Sequence, residues 1–421
     1  MISELKQPNK ILCFVVAISP ILDVYSSRIL PIGIGSFCML LFLPYMVSRF
    51  CNFSRGLSSY SRLMLFCFIG TVFSFLSCAF NGFSLGDIAT RILVMFSYVM
   101  LALVYSHSID ERGRIICYYK VVAVLVSIIM IFQFFCHYVL GTDIFFLLKN
   151  IPYSQSSLPN FEAYRRTYTN MYTYSYRPTS VFLEPSHFAL YVAPATVLFL
   201  KDWLSSRKNI FFAIVISIAL VFSTSLTGYF MLFIAWSIML LELIKKGDAA
   251  KTIIIVLGII VIAYVLFHIE YRQTFLGRLT QITTNENSSA FTRISKGWRT
   301  YASLSPLEWF MGIGLGAYDS YVLIHGITDF TFEYMNSLSY VFVSTGLIGG
   351  LLFLSFVLRL FKTIKSVEAK IIVLLLLAGY FSGSILFSIY DTLYLIIIYQ
   401  ISRDVDVNSS TIPVKITFNH H

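Results

Sequence analysis

Three basic residues recur at three-residue spacing in Thr292-Arg-Ile-Ser-Lys-Gly-Trp-Arg-Thr300: Arg293, Lys296 and Arg299. On a helix, residues three and four apart share a face. The planar arginine fork donates two parallel hydrogen bonds to phosphate oxygens, so such a row suits a phosphate or pyrophosphate group. A solvated helix resting on lipid headgroups would carry the same pattern. A second constellation lies in Arg177-Pro-Thr-Ser-Val-Phe-Leu-Glu-Pro-Ser-His-Phe-Ala-Leu-Tyr191, where a polar stretch runs into an apolar one. Glu184 and His187 are three apart there, and a carboxylate deep at a membrane edge costs roughly 2–3 kcal/mol, which calls for a partner or a cavity. Glu184 suits a base or an orienter of an arginine, and His187 suits a base or a hydrogen-bond donor. The same residues also fit a helix start, with Pro185 at the first helical position and Glu184 at the positive end of the dipole.

Further cations and aromatics surround these two stretches. Arg165, Arg166 and Arg278 add positive charge, and Tyr176, Trp298 and His325 add flat or hydrogen-bonding side chains where a polar substrate could lie. Tyr153, Tyr164, Tyr168, Tyr172, Tyr174 and Tyr176 crowd one region. Tyrosine pairs an apolar face with a polar tip, which suits sugar rings and suits a membrane interface equally. His137, His268 and His325 lack any ligand spacing, so no metal site is expected. Gly312-x-Gly314-x-Gly316 follows no strand of a β-α-β unit and reads as a tight loop.

The elements that must position these residues are membrane helices. The 421 residues are 57% hydrophobic and 12% charged, with mean hydropathy +0.77. A soluble domain carries about 25% charge. Apolar runs recur from end to end, which predicts a single all-α membrane domain over 1–421 and no separate soluble domain. Spans are expected near 11–27, 30–48, 63–80, 87–105, 115–140, 181–201, 209–225, 228–244, 252–270, 337–359, 370–388 and 389–402, with a bend at Tyr390-Asp391 between the last two. The seven cysteines lie in or beside apolar runs and form no C-x-x-C, so they read as buried apolar side chains.

Charge sets the orientation. Alternate connections carry Lys6 and Lys10, then Arg49, Arg55 and Arg62, then Arg112 and Arg114, Lys201 and Arg207, Lys245 and Lys246, Arg359 and Lys362, and Arg403. The opposite short connections carry almost none. The positive-inside rule then predicts about twelve spans with both termini cytoplasmic. The net charge of +10 is largely this topology signal and does not point to nucleic acid. Two long connections, 141–180 and 271–336, fall outside the cytoplasm and hold every candidate site residue up to the edge of the sixth span. No internal repeat is visible, which argues against an inverted-repeat transporter.

At these residues the chain resembles a known family. Arg177 to Tyr191 is similar to the R-x-x-S-x-F-x-E-P-S-x-x-A stretch of Wzy-type O-antigen polymerases. Arg293, Trp298, Pro306, Gly312-Ile-Gly314-Leu-Gly316, Tyr318 and Gly346-Leu-Ile-Gly349 resemble the second outer loop of the wider O-antigen polymerase and ligase superfamily, with its glycine pair at the entry to the next span. Ligases of that group commonly carry a His-Asn pair just upstream; Met335-Asn336 stands there instead, which departs from the ligase pattern.

The resemblance implies a GT-C-like fold with two large extracytoplasmic loops carrying short helices. It implies transfer of an undecaprenyl-pyrophosphate-linked glycan onto the terminal sugar of another lipid-linked repeat unit, in the bacterial inner membrane, with neither metal nor cofactor. Arg293 and Arg177, then Arg299 and Arg278, would hold the pyrophosphate, with Lys296 beside them. Glu184 would activate the acceptor or fix Arg177, with His187 as the other candidate base. The partners so implied are lipid-linked glycans, membrane lipid and a separate chain-length regulator. An O-antigen ligase acting on lipid A-core and a flippase for the lipid-linked unit are the alternatives.

Overall fold

Long apolar runs become helices because a lipid core offers the main chain no hydrogen-bond partner, and a helix satisfies its own amides and carbonyls. The computed structural model describes residues 10–27, 32–48, 53–107, 112–154, 159–165, 177–205, 209–247, 289–325 and 335–410, with isolated positions between 249 and 260. Within them the chain is helical, and no strand occurs beyond two isolated bridges, Tyr25 with Tyr153 and Ser26 with Gly33. The helices are α1 (Lys10–Leu22), α2 (Ile34–Leu41), α3 (Leu43–Ser48), α4 (Phe53–Asn81), α5 (Leu85–His107), α6 (Arg112–Leu140), α7 (Pro185–Ser205), α8 (Ile210–Phe222), α9 (Leu226–Lys245), α10 (Ser289–Ser303), α11 (Pro306–Met311), α12 (Tyr318–Ile324), α13 (Ser337–Thr363), α14 (Val367–Ser382) and α15 (Ile389–Ser410).

Five of the described helical stretches are long and apolar enough to cross a membrane: Tyr60–Asn81, Leu85–His107, Gly113–Leu140, Leu226–Lys245 and Ser337–Thr363. The chain is therefore an all-α membrane protein. Lys10–Leu22, Ile210–Phe222 and Ile389–Ser402 are shorter apolar helices. The expected span at 252–270 lies outside the described residues apart from isolated positions.

Two expectations change in detail. The run at 30–48 is not one helix. It breaks at Phe42 into α2 and α3, because Pro44 lacks an amide donor and its ring collides with a carbonyl one turn back. The bend between the last two helices falls at 383–388, ahead of Tyr390-Asp391. Asp391 instead sits in the first turn of α15, where its carboxylate accepts from the Phe387 amide at 3.2 Å and from the Tyr380 hydroxyl.

Helix α7 runs through the interior. Every residue from Phe188 to Leu200 is buried, as expected of a helix that is apolar all round. The Tyr191 hydroxyl donates to the Ala17 carbonyl at 2.7 Å, and Tyr119 donates to the Tyr191 carbonyl, so α1, α6 and α7 are bonded to one another. Helices α4 and α13 lie antiparallel. Arg62 donates to the Ser355 carbonyl and Arg359 to the Ser61 hydroxyl, each at 2.9 Å, near one end. At the other end Ser74 and Ser77 meet the loop after α11. That second end also carries the α1–α2 turn, residues 141–154 and the starts of α7 and α13; it is the loop end of the bundle. There Ser154 bonds to the Val24 carbonyl and Ser26 to the Pro152 carbonyl, tying the first long segment to the α1–α2 turn.

Candidate functional site

Glu184 reaches its position through Gln133. Gln133 is 1% exposed on α6, and its side-chain amide grips Ser180 by both main-chain groups. Oε1 accepts from the Ser180 amide at 2.6 Å, and Nε2 donates to the Ser180 carbonyl at 3.2 Å and to the Ile144 carbonyl at 3.1 Å. The Ser180 hydroxyl donates to the Val126 carbonyl at 2.7 Å. These bonds hold Ser180 at φ 57, a left-handed conformation that side-chain-bearing residues seldom adopt. Thr179 is pinned as well, its hydroxyl 3.1 Å from that of Tyr164. Arg177 and Glu184 flank this anchored turn. The Glu184 carbonyl accepts from the His187 and Phe188 amides, and Pro185 opens α7, so Glu184 stands just ahead of the helix.

Arg293 arrives from the other long segment. Helix α10 lies against the start of α13, and Gly297 allows the close approach: a Cβ there would meet the Ser339 hydroxyl at 2.1 Å. Asn336 joins the two helices. Its Oδ1 accepts from the Ser339 amide at 2.8 Å and so caps α13. Its Nδ2 donates to the Arg293 carbonyl at 2.7 Å. The guanidinium of Arg293 then meets the Glu184 carboxylate, Nη2 to Oε2, at 3.3 Å. The side chains are 25% and 27% exposed respectively, a half-open pair at the edge of the helices. The Ser186 hydroxyl donates to the same Oε2 at 2.9 Å.

A chain of contacts closes around this pair. Beside Asn336, Ser337 donates to the Gly383 carbonyl at 2.9 Å and accepts from the amides of Ile385 and Leu386. That turn leads to Tyr390, whose ring lies 5.5 Å from the ring of His187. His187 is on α7, three residues from Glu184. The ion pair therefore sits in a frame made from the ends of α7, α10, α13 and α15.

The electrostatics select a role for each group. Burial raises the proton affinity of Glu184, but the Arg293 guanidinium, the His187 ring and the hydrogen bonds from Ser186 and Arg293 together outweigh it and hold the carboxyl down at about 2. A carboxylate so acidic is a weak base, whereas efficient general bases titrate near the working pH. In this state Glu184 orients Arg293. Among the described residues, Glu184 engages one of the five guanidinium N–H groups, which leaves donors for an anion.

The remaining sequence candidates separate. The structure brings Glu184, His187 and Arg293 together, and places Arg177 half-buried on the anchored segment. Lys296 is half-buried and Arg299 exposed on α10. Trp298 packs on Phe342, with ring centroids 5.3 Å apart, and so seats α10 on α13. His325 ends α12, stacked on Tyr321 at 4.1 Å. Arg165 is exposed on a helical turn at 161–165. Arg166, Tyr176 and Arg278, with Tyr168, Tyr172 and Tyr174, lie outside the described residues. Tyr153 and Tyr164 are buried against each other and offer no face to a sugar, because their rings form the core of the first long segment. The glycine pair Gly346 and Gly349 is not at the entry to α13 but inside it, at a break where Gly346 has φ 64.

Gln133, Asn336 and Tyr390 belong to the site without having been singled out as site residues. A lone glutamine within an apolar run was the signal for Gln133. An asparagine ahead of an apolar run, with serine three residues on, is a helix-start pattern and was the signal for Asn336. No protein-family model matches this chain, and no curated protein sequence matches it.

Proposed function

We propose that this chain is an O-antigen polymerase of the Wzy type, a glycosyltransferase that joins undecaprenyl-pyrophosphate-linked oligosaccharide units at the periplasmic face of the bacterial inner membrane. In this reading it has about twelve spans in a GT-C-like arrangement, with both termini cytoplasmic. The observation that supports it best is the Glu184–Arg293 pair, which joins the two long segments at the edge of the apolar helices. A lipid-linked pyrophosphate must present its charge at that level while its tail stays in the bilayer.

The chemistry follows from the pair. Pyrophosphate is a good leaving group, so the main requirement is neutralisation of charge as it builds on the phosphate oxygens. Arg293 supplies it, with Arg177, on the anchored segment ahead of Glu184, as the second cation. When a phosphate draws the guanidinium, Glu184 loses the charge that keeps it acidic. Burial then raises its proton affinity, and it becomes able to take the proton of an acceptor hydroxyl. His187, across from Tyr390, is the second candidate base. The acceptor oxygen forms a bond to the donor's anomeric carbon, the bond from that carbon to phosphate breaks, and undecaprenyl pyrophosphate leaves.

Deleting the gene and resolving the lipopolysaccharide on a gel tests the reading. Loss of a polymerase leaves core carrying a single repeat unit. Bare core would indicate the ligase or flippase reading instead, and an unchanged ladder would remove the chain from O-antigen assembly.

A further inference from the structure

Helix α10 does not stay at the level where it meets α13. Arg293 is beside Asn336, Gly297 beside Ser339, and Trp298 and Tyr301 beside Phe342. Helix α10 thus descends along α13 in parallel. The return helix α11 lies deeper still, with the main chain of Phe310 against Gly346. From Asn336 to Gly346 is ten residues of a largely helical segment, about 15 Å at 1.5 Å per residue. Composition follows the descent: Arg293, Lys296 and Arg299 lie in the upper part, and 300–307 carry no charge.

The connection after α11 is built as a bilayer requires. Non-helical backbone is tolerated at membrane depth only where protein satisfies it. The Gly312 amide donates to the Glu308 carbonyl, Ile313 to Val343, Gly314 to Ser344, and Ala317 to Gly314. The Leu315 amide donates to the Ser74 hydroxyl at 2.7 Å, and the Ile313 carbonyl accepts from Ser77 at 2.6 Å. The Val343 and Ser344 carbonyls are available because α13 breaks at Gly346. Break and inserted segment complete each other inside two of the five long apolar helices.

What α11 leaves uncovered is apolar. Leu307 is 61% and Phe310 50% exposed, beside Ile348 and Leu351 of α13 at 42% and 56%. Glu308, the one charge on α11, is turned back into a capping box: its carboxylate accepts from the Ser305 amide at 3.0 Å and from its hydroxyl at 2.7 Å. We propose that α10 and α11 form a re-entrant hairpin that enters the bilayer from the loop end, with Leu307 and Phe310 among the lipid acyl chains. A substantial part of the second long segment is then membrane, whatever substrate the site takes.

Fluorescence quenching in proteoliposomes tests this. The probe is Phe310→Trp in a Trp309→Phe chain, read against Trp309→Phe alone so that the added emission belongs to position 310. Lipids brominated along the acyl chain should remove most of that emission, and aqueous iodide should remove little. Quenching by iodide without quenching by bromolipid would place α11 in water and overturn the proposal. Shielding from both would mean that protein, such as a second copy of the chain, covers the face, and would overturn it equally. The native Trp309, isolated as the difference between wild type and Trp309→Phe, gives the same reading without the added tryptophan.

Discussion

The carboxylate of Glu184 and the guanidinium of Arg293 meet at 3.3 Å across 109 residues of sequence. Neither is positioned by its own helix alone. Glu184 depends on Gln133, which anchors the turn ahead of α7, and Arg293 depends on Asn336, which fixes the main chain of α10 to α13. The pair is therefore a readout of how the two long segments are seated.

Asn336 separates capping from positioning. Asn336→Asp keeps an oxygen for the Ser339 amide but cannot donate to the Arg293 carbonyl. Asp caps helices as well as Asn does, but its buried carboxylate faces the Arg293 carbonyl, so thermal stability in detergent should fall by about 1–3 kcal/mol. Polymer formation should fall at least about tenfold, the effect of losing one well-placed contact. Wild-type polymer formation by Asn336→Asp would mean that the cap alone matters.

Gln133→Leu removes three hydrogen bonds at near-constant volume. It leaves the Ser180 amide and the Ser180 and Ile144 carbonyls without this partner, a change worth about 2–4 kcal/mol. A lower melting midpoint should accompany lost activity. Gln133→Glu should rescue only in part, because an ionised carboxylate accepts from Ser180 and donates to neither carbonyl.

Much of the helical framework was legible, because apolar runs of span length have few alternatives in lipid. The break at Phe42 was signalled by Pro44 but hidden within a run of sufficient length. The Glu184–Arg293 contact was not legible: the residue types were right, yet nothing local says which arginine a carboxylate will meet 109 positions away. The sequence reading offered Arg177 as the residue for Glu184 to orient. Tyr153 and Tyr164 failed for a different reason. A tyrosine in a core and a tyrosine under a sugar differ only in what surrounds them, and the rings of Tyr153 and Tyr164 meet edge to face. The Gly346 break was unreadable because its partner is a loop from elsewhere in the chain.

The pH response of Glu184 has a defined sign. Its carboxyl is held at about 2, below the ordinary 4.5, so its stabilising contribution is complete above 4.5 and is lost as pH falls from there toward 2. The difference in melting midpoint between wild type and Glu184→Gln should shrink as the medium is acidified below about pH 5. A difference that stays constant on that acidification would show that Glu184 is not held by Arg293 in the resting protein.

Four glycines distinguish steric contact from backbone preference. Gly312 and Gly346 have φ 77 and 64, and a Cβ on either would lie 2.3 Å from main-chain atoms of the other segment. Gly82 and Gly247 have φ 67 and 69 with nothing within 4 Å. Alanine at Gly82 or Gly247 should cost about 1–2 kcal/mol and leave a folded protein. Alanine at Gly312 or Gly346 should prevent a monodisperse product in size-exclusion chromatography. Four similar outcomes would mean that the close approach of α11 to α13 is not needed for folding.

The central claim is that Arg293, held by Glu184, works on a lipid-linked pyrophosphate. Purified wild-type protein in liposomes, supplied with the undecaprenyl-pyrophosphate-linked repeat unit, should produce a ladder of longer glycans on a gel. Arg293→Ala and Glu184→Ala, purified to the same level, should each abolish the ladder. The double variant should be no worse than either single one, because both remove the same interaction. A wild-type ladder from Arg293→Ala, or no ladder from wild type on an intact substrate, would contradict the claim.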